Sequence, residues 1–180
     1  MKKNILLGVC GGIASYKTCE LVRLLVKSGF SVKVIMTDAA IKFVSPLVFQ
    51  NLSGNPVYVD MFSLLKDENI QHINLAKWAH LVVLAPLSAN TLSKIANGIC
   101  DNLLTTVICA LPHSTEVILA PAMNEQMWKN PIIEQHVKKL QRLKKYKLLQ
   151  PQKGELACGD YGEGRMPEPE AIYKVIKSLA

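Results

Sequence analysis

The residues best suited to chemistry form the stretch PAMNEQMW at positions 121–128. They follow residues 116–120, an apolar, β-branched run that is typical of an internal parallel strand. Because ligands bind just past the carboxyl ends of strands in open α/β sheets, a site is expected at this turn. The amide of Asn124 can bind a carboxylate, another amide or the polar edge of a ring. The alternative is that Asn124 only caps a helix starting at Glu125, with Met127 and Trp128 packed as core.

A second candidate site lies where the first predicted strand meets the first predicted helix. Residues 4–9 predict the strand, Gly11 and Gly12 a tight turn, and residues 13–27 the helix. Such a junction, with Ser15 beside it, presents backbone N–H groups and a positive helix end to a phosphate. The glycine spacing does not match a dinucleotide fingerprint and no Walker lysine follows, so a mononucleotide is favoured. A purely structural role for the two glycines is equally compatible with this pattern.

A third candidate site follows the strand predicted at residues 80–85. Ser88, Asn90 and Thr91 lie just before a helix predicted at residues 92–97. Capping needs only one such side chain, so the cluster favours a phosphate or ring-edge site at the carboxyl end of this strand.

The remaining pattern predicts one α/β domain over residues 1–180, with a three-layer, open, mostly parallel sheet and helices on both faces. Further strands are expected at residues 31–36 and 146–150, and Thr37 is expected to cap a short helix. The other predicted helices are residues 46–52, 101–110, 131–145 and 168–179.

Composition and charge limit the possible binding partners and the cellular location. The chain has a formal charge of +7, which suits nucleic acid, an anionic membrane or a phosphorylated small molecule. Much of the excess falls on the outer face of one amphipathic helix, so a solvated surface is favoured over nucleic acid or membrane binding. The five cysteines include no C-x-x-C pair, which disfavours disulfides and metal sites. No apolar run is long enough to span a membrane, and we expect a soluble, cytoplasmic protein.

The stretch at residues 154–167 contains four glycines and predicts a mobile loop that could cover a site. Cys158 lies inside this loop, where a thiol could give a proton to a bound intermediate. His72 is one of four histidines, and a lone histidine is more often structural than catalytic.

Taken together, these residues resemble the homo-oligomeric flavin-containing cysteine decarboxylases, over essentially the whole chain. The resemblance depends on GGIASYK at 11–17, His72 with its Ile and Asn neighbours, SANT at 88–91, DNL at 101–103, PAMNEQMW at 121–128 and ACGDYGEGRM at 157–166. The last two stretches together are highly specific.

The resemblance implies a Rossmann-like flavoprotein that binds FMN and no metal. By this similarity, FMN is held by Gly12, Ile13, Ser15, Thr37, Ser88, Ala89, Asn90, Thr91, Ala122 and Met123. The implied catalytic residues are His72 as the base, Asn124, and Cys158 as a proton donor. The implied substrate-binding residues, several of them in a clamp around Cys158, are Asn124, Met127, Ala157, Gly162 and Arg165.

The implied reaction is decarboxylation of 4'-phosphopantothenoylcysteine to 4'-phosphopantetheine and CO2 in coenzyme A biosynthesis. A cysteine carboxylate has no electron sink, so the flavin would first oxidise the thiol-bearing carbon to a thioaldehyde and reduce it again after CO2 loss. The alternatives are a peptidyl-cysteine decarboxylase, a flavin prenyltransferase or a non-catalytic regulatory flavoprotein.

The same resemblance implies a homotrimer or a multiple of trimers. A phosphopantothenate–cysteine ligase is expected as a separate partner or as a fused domain. The chain is therefore expected to be a stand-alone enzyme or one half of a bifunctional protein.

Overall fold

The structure is a computed structural model that describes residues 3–62, 71–157 and 159–179. Its centre is a six-stranded sheet in the order β3-β2-β1-β4-β5-β6, and every strand pair in it is parallel. The strands are β1 Asn4–Val9, β2 Ser31–Met36, β3 Val57–Tyr58, β4 Leu81–Leu87, β5 Glu116–Pro121 and β6 Tyr146–Leu148. The predicted fold class is confirmed.

Helices cover both faces of this sheet. One face carries a buried cluster that contains residues of α1 and α8, and the opposite face carries a cluster with residues of α3, α4, α5 and α7. The helices are α1 Ser15–Lys27, α2 Pro46–Ser53, α3 Gln71–Trp78, α4 Ala89–Asn97, α5 Leu103–Ala110, α6 Glu125–Trp128, α7 Pro131–Gln141 and α8 Pro169–Leu179, with a short 3-10 helix at Ala40–Lys42. Within the described residues, no helix is both long and apolar enough to cross a membrane.

The local sequence explains these elements. All seven residues of β4 are buried, as expected of a central parallel strand with both faces covered. Several helices begin at a side chain that accepts a backbone N–H, which satisfies an otherwise unpaired donor of the first turn. These caps are Ser45, Ser88, Asn102, Asn124 and Asn130.

The structure differs from the sequence predictions in one helix end, one unpredicted strand and one segment that was expected to be a loop. The helix predicted at residues 131–145 ends at Gln141. After this residue the backbone forms a tighter turn, in which the N–H of Leu143 donates to the carbonyl three residues earlier, that of Leu140. The short edge strand β3 was not predicted, since two residues give too little pattern. The loop expected at residues 154–167 contains an antiparallel hairpin, formed by β7 Gln152–Glu155 and β8 Tyr161–Arg165.

Candidate functional site

A cavity of about 690 Å³ opens at the carboxyl edge of the sheet, past the ends of β1, β4 and β5. Its volume lies within the range of roughly 300–1,000 Å³ that small-molecule and cofactor sites occupy. The wall is formed by Gly11, Gly12, Ile13, Ala14, Tyr16, Lys17, Ser88, Ala89, Ala122, Met123, Asn124, Met127, Glu155, Leu156, Ala157, Gly164, Arg165 and Met166. The three candidate sites of the sequence therefore meet in one cavity, together with the hairpin.

Asn124 lies in the wall of this cavity and also caps α6. Its side-chain oxygen accepts the backbone N–H of Gln126 at 2.8 Å. The alternative prediction that Met127 packs in the core is wrong, because this side chain is 47% exposed and lines the cavity. Trp128, in contrast, is partly buried against the core.

The β7–β8 hairpin is fastened to the turn that carries Asn124. The backbone N–H of Met123 donates to the carbonyl of Gly164 at 3.0 Å. A Cβ at Gly164, where φ is 156°, would overlap the carbonyl oxygen of Met123. Only glycine permits this approach, so the base of the hairpin has a fixed position against the turn.

Glu125 makes the second connection between the turn and the hairpin. Its carboxylate accepts the backbone N–H of Glu163 at 3.2 Å and the ammonium of Lys129 at 2.8 Å. The Lys129 hydrogen bond, followed by that from Glu163, lowers the pKa of Glu125. A Cβ at Gly162 would come within 2.7 Å of the same carboxylate, so Gly162 faces Glu125.

The two helix starts contribute differently to the wall. Gly12 and Ile13 line the cavity, and a Cβ at Gly12 would meet nothing within 4 Å. This open space beside the backbone fits the close approach of a ligand. At the start of α4, Ser88 and Ala89 line the cavity, while the Ser88 hydroxyl caps the helix through the N–H of Thr91 at 3.3 Å.

Ser15 does not line the cavity. Its side chain is fully buried, with the hydroxyl 2.6 Å from the Gly12 carbonyl oxygen and 3.0 Å from that of Cys10. The backbone N–H groups of Ser15, Tyr16 and Lys17 also donate to carbonyls of the same turn. The prediction that this junction presents free N–H groups is therefore wrong for these three residues.

The remaining predicted cofactor residues lie around the wall rather than in it. Thr37 donates its N–H to the Val9 carbonyl and its hydroxyl accepts from the N–H of Ala40 at 3.3 Å. Thr91 is buried and Asn90 is exposed. Both lie in the first turn of α4, which begins at Ala89 because Ser88 caps it, so the predicted helix start at residue 92 is wrong. Burial raises the pKa of the neighbouring Cys10 thiol, which keeps it neutral beneath the start of α4.

A group of charges lies at the hairpin end of the cavity, where Arg165, expected to bind substrate, is joined by Lys17 and Glu168, to which the sequence analysis gave no role. Lys17 and Arg165 both line the wall, and both contact one oxygen of Glu168, at 2.6 and 3.2 Å. A lysine in the first turn of a helix is disfavoured by the helix dipole, which is the sequence signal that could have identified Lys17. Two cations share one carboxylate here, so the pair retains positive charge toward the cavity.

The three residues expected to move protons or clamp substrate differ in position. His72 lies half-buried on α3, outside the cavity wall of its own chain. Ala157 lines the cavity near the tip of the hairpin. Cys158 lies outside the described residues.

We predict that Glu125→Gln loosens the hairpin. The amide cannot accept Lys129 as an ion pair, so backbone amides from Gly162 to Gly164 should exchange hydrogen severalfold faster in a mass-spectrometric experiment. Because the pKa of Glu125 is lowered in the fold, its contribution is present above the ordinary glutamate pKa of about 4.3 and is lost as pH falls through the folded value. The difference between variant and unmutated protein should therefore vanish in acid.

Glu134→Gln is the matched control, since Glu134 forms an exposed i,i+4 pair with Lys138 and has no hydrogen bond to the hairpin among the described contacts. Equal exchange in both variants would contradict the proposed fastening.

Comparison with known proteins identifies the family. A sequence model of the family described as Flavoprotein matches residues 1–180. The chain is 45% identical over 177 residues to a probable phosphopantothenoylcysteine decarboxylase of Streptococcus mutans, covering 98% of each chain. It is 46% identical over 174 residues to the coenzyme A biosynthesis bifunctional protein CoaBC of Borreliella burgdorferi, covering 97% of this chain and 44% of that protein. The chain thus spans less than half the length of this bifunctional relative.

Solved structures agree with these relatives. A Cys-to-Ser mutant of PPC decarboxylase, complexed with pantothenoylaminoethenethiol, matches with a TM-score of 0.89 and 37% identity over 99% of this chain and 98% of that one. The FMN binding protein AtHal3 matches with a TM-score of 0.85 and 36% identity, over 99% and 97% of the two chains. The chain belongs to the flavoprotein family, in the group that includes the phosphopantothenoylcysteine decarboxylases.

Proposed function

We propose that this chain catalyses the FMN-dependent decarboxylation of 4'-phosphopantothenoylcysteine to 4'-phosphopantetheine and CO2 in coenzyme A biosynthesis. The observation that carries this proposal is the single cavity in which both helix starts, the Asn124 turn and the hairpin come together. The extensive identity to a decarboxylase relative supports the same reaction.

The cavity fits FMN on physical grounds. Gly12 and Ala89 leave room beside the backbone, Ala122 and Met123 provide an apolar surface for a ring, and the start of α4 offers first-turn N–H groups to a phosphate. Ser15 and Thr37 would act indirectly, by shaping the turns that hold the phosphate. When bound, FMN supplies a hydride acceptor and donor for the carbon that carries the substrate thiol.

The residues of this chain would position the substrate and move its protons. The Asn124 amide can hold the substrate carboxylate by hydrogen bonds. A strong charge pair would stabilise the carboxylate and so oppose CO2 departure, and the neutral amide avoids this. Met127 would pack against the substrate, and Arg165 with Lys17 would attract its anionic phosphate. His72 would take the thiol proton, the general-base role that histidine most often has in enzymes.

Cys158 would act after CO2 loss, by giving a proton to the enethiolate. Its sequence neighbour Ala157 lines the cavity, which supports a role for Cys158 at this site. The matched structure of a Cys-to-Ser mutant with a bound ethenethiol supports a late role for a cysteine in this family. A peptidyl-cysteine decarboxylase would stop at the enethiol and is therefore less compatible with this cysteine.

The position of His72 favours a site shared between subunits. His72 is half-buried and lies outside the cavity of its own chain, so the base would have to come from a neighbouring copy. We therefore retain the homotrimer, or a multiple of trimers, as the proposed assembly. A ligase, fused as in the bifunctional relatives or separate, is the proposed partner, and a cytoplasmic location stays a prediction.

The cofactor proposal predicts a specific effect of Gly12→Val. The added side chain meets no atom of the chain within 4 Å at its Cβ, so the fold should be retained while space for the cofactor is lost. The purified variant should show normal circular dichroism but little FMN absorbance after incubation with excess FMN. Full FMN content in this variant, or an unmutated protein that takes up no FMN, would contradict the proposal.

The proton-transfer roles predict different products for two variants. His72→Asn should reduce CO2 release by about 10²–10⁴-fold, the usual contribution of a general base. Cys158→Ser should still release CO2 but accumulate an enethiol product, because a hydroxyl is a much weaker acid than a thiol. Mass spectrometry of the products distinguishes these outcomes. Normal phosphopantetheine formation by either variant would remove the corresponding role.

The shared site predicts complementation between two inactive variants. Asn124→Asp keeps the acceptor that caps α6 but would repel a carboxylate. Co-expression of differently tagged His72→Asn and Asn124→Asp chains should give hybrids in which some sites contain both original residues. Doubly purified hybrids should therefore recover activity that each homo-oligomer lacks. Inactive hybrids that form normally would show that one chain supplies both residues.

A further inference from the structure

A second cavity, of about 410 Å³, lies at the opposite edge of the sheet. His113 and Lys145 line it and precede β5 and β6, which places it at the amino ends of these strands. Its described wall shares no residue with the first cavity. Apolar side chains form much of the remaining wall, namely Ile95, Ile99, Ile108, Leu143 and Tyr146.

Two free thiols open into this second cavity. Cys100 precedes α5 and Cys109 lies on α5, and both are exposed. The sulfur of Cys100 lies 3.8 Å from the carbonyl oxygen of Thr105. In an α-helix this carbonyl accepts the N–H four residues later, which belongs to Cys109, and helical side chains lean toward the amino end. The Cys109 side chain therefore leans toward the turn that Cys100 contacts.

The environment of Cys100, including Cys109, changes the pKa of its thiol. Burial, followed by a hydrogen bond and charge from Cys109, raises the pKa of Cys100. The negative charge of Asp101 raises the pKa of Cys100 further, so this thiol is favoured in its neutral form.

The charge around Cys109 is positive. Lys144, Lys145 and His113 line the cavity, and its described wall contains no carboxylate. Lys145 and Cys109 line the same cavity, and burial lowers the pKa of Lys145 while the charge of Cys109 acts in the opposite direction. An ammonium group near a thiol stabilises the thiolate, which is the reactive form.

We propose that Cys100 and Cys109 form a dithiol site that reduces an anionic low-molecular-weight disulfide bound in this cavity. Cys109 thiolate attacks one sulfur of the disulfide RSSR and releases one RSH after protonation. Cys100 thiolate then attacks the Cys109 sulfur of the mixed disulfide and releases the second RSH. The protein loses two electrons and two protons to form the Cys100–Cys109 disulfide, and RSSR gains them to give two RSH.

The test treats the FMN-loaded protein with oxidised glutathione and measures intact mass after acid quenching. The unmutated protein should lose two hydrogen atoms, and peptide mapping should find the Cys100–Cys109 disulfide. Cys100→Ser should instead retain one glutathionyl group on Cys109, because the second thiol is missing. Cys109→Ser should acquire no glutathionyl group at position 100 on the same timescale.

Charge and position provide two controls. Cystamine, a cationic disulfide, should react severalfold more slowly than oxidised glutathione, and Lys145→Gln should reduce this difference. Cys19→Ser, which changes a half-buried cysteine on α1, should behave as the unmutated protein.

Three results would overturn the proposal. They are an unchanged mass of the unmutated protein, a Cys100→Ser variant without glutathione on Cys109, and equal rates for the anionic and cationic disulfides.

Discussion

The site depends on the point at which the strand order of the sheet reverses. The chain runs outward from β1 through β2 to β3, and then returns to place β4 on the other side of β1. The helix after β1 therefore packs on one face of the sheet and the helix after β4 on the other. Their starts diverge at the carboxyl edge and leave a crevice, which is where ligands bind in open α/β sheets. Every other part of the site is added to this crevice.

The turn after β5 converts the crevice into a walled cavity. It supplies Asn124 and Met127 from one side, and through Met123 and Glu125 it holds the hairpin on the other. The Glu125 carboxylate, the Met123 backbone hydrogen bond and the close contact at Gly164 together hold the hairpin against the turn. The charged group of Lys17 and Arg165 then depends on the same hairpin, because Arg165 belongs to β8.

Much of this arrangement could be predicted because strong local patterns specify it. The sequence pattern predicted five of the six strands of the central sheet, and polar residues after three of them predicted where the cavity would lie. The hairpin could not be predicted, because its glycine-rich strands are short and lack alternating apolar residues. The inward orientation of Ser15 and the link from Lys17 to Glu168 depend on packing between distant segments, so periodicity contains no information about them. His72 stood out only by similarity to known proteins.

The fixed base of the hairpin restricts how a molecule can reach the cavity. Gly164 admits no side chain against Met123, so lifting the whole hairpin would break a backbone hydrogen bond and separate a tightly matched surface. Nearer the tip, the backbone N–H of Leu156 donates to the carbonyl of Asp160 at 2.7 Å, which holds the two strands together there as well. The hairpin therefore forms a fixed wall of the cavity and not a lid that swings open. A ligand must accordingly fit the space that the fixed hairpin leaves, because moving the hairpin aside would break its hydrogen bonds to the Asn124 turn.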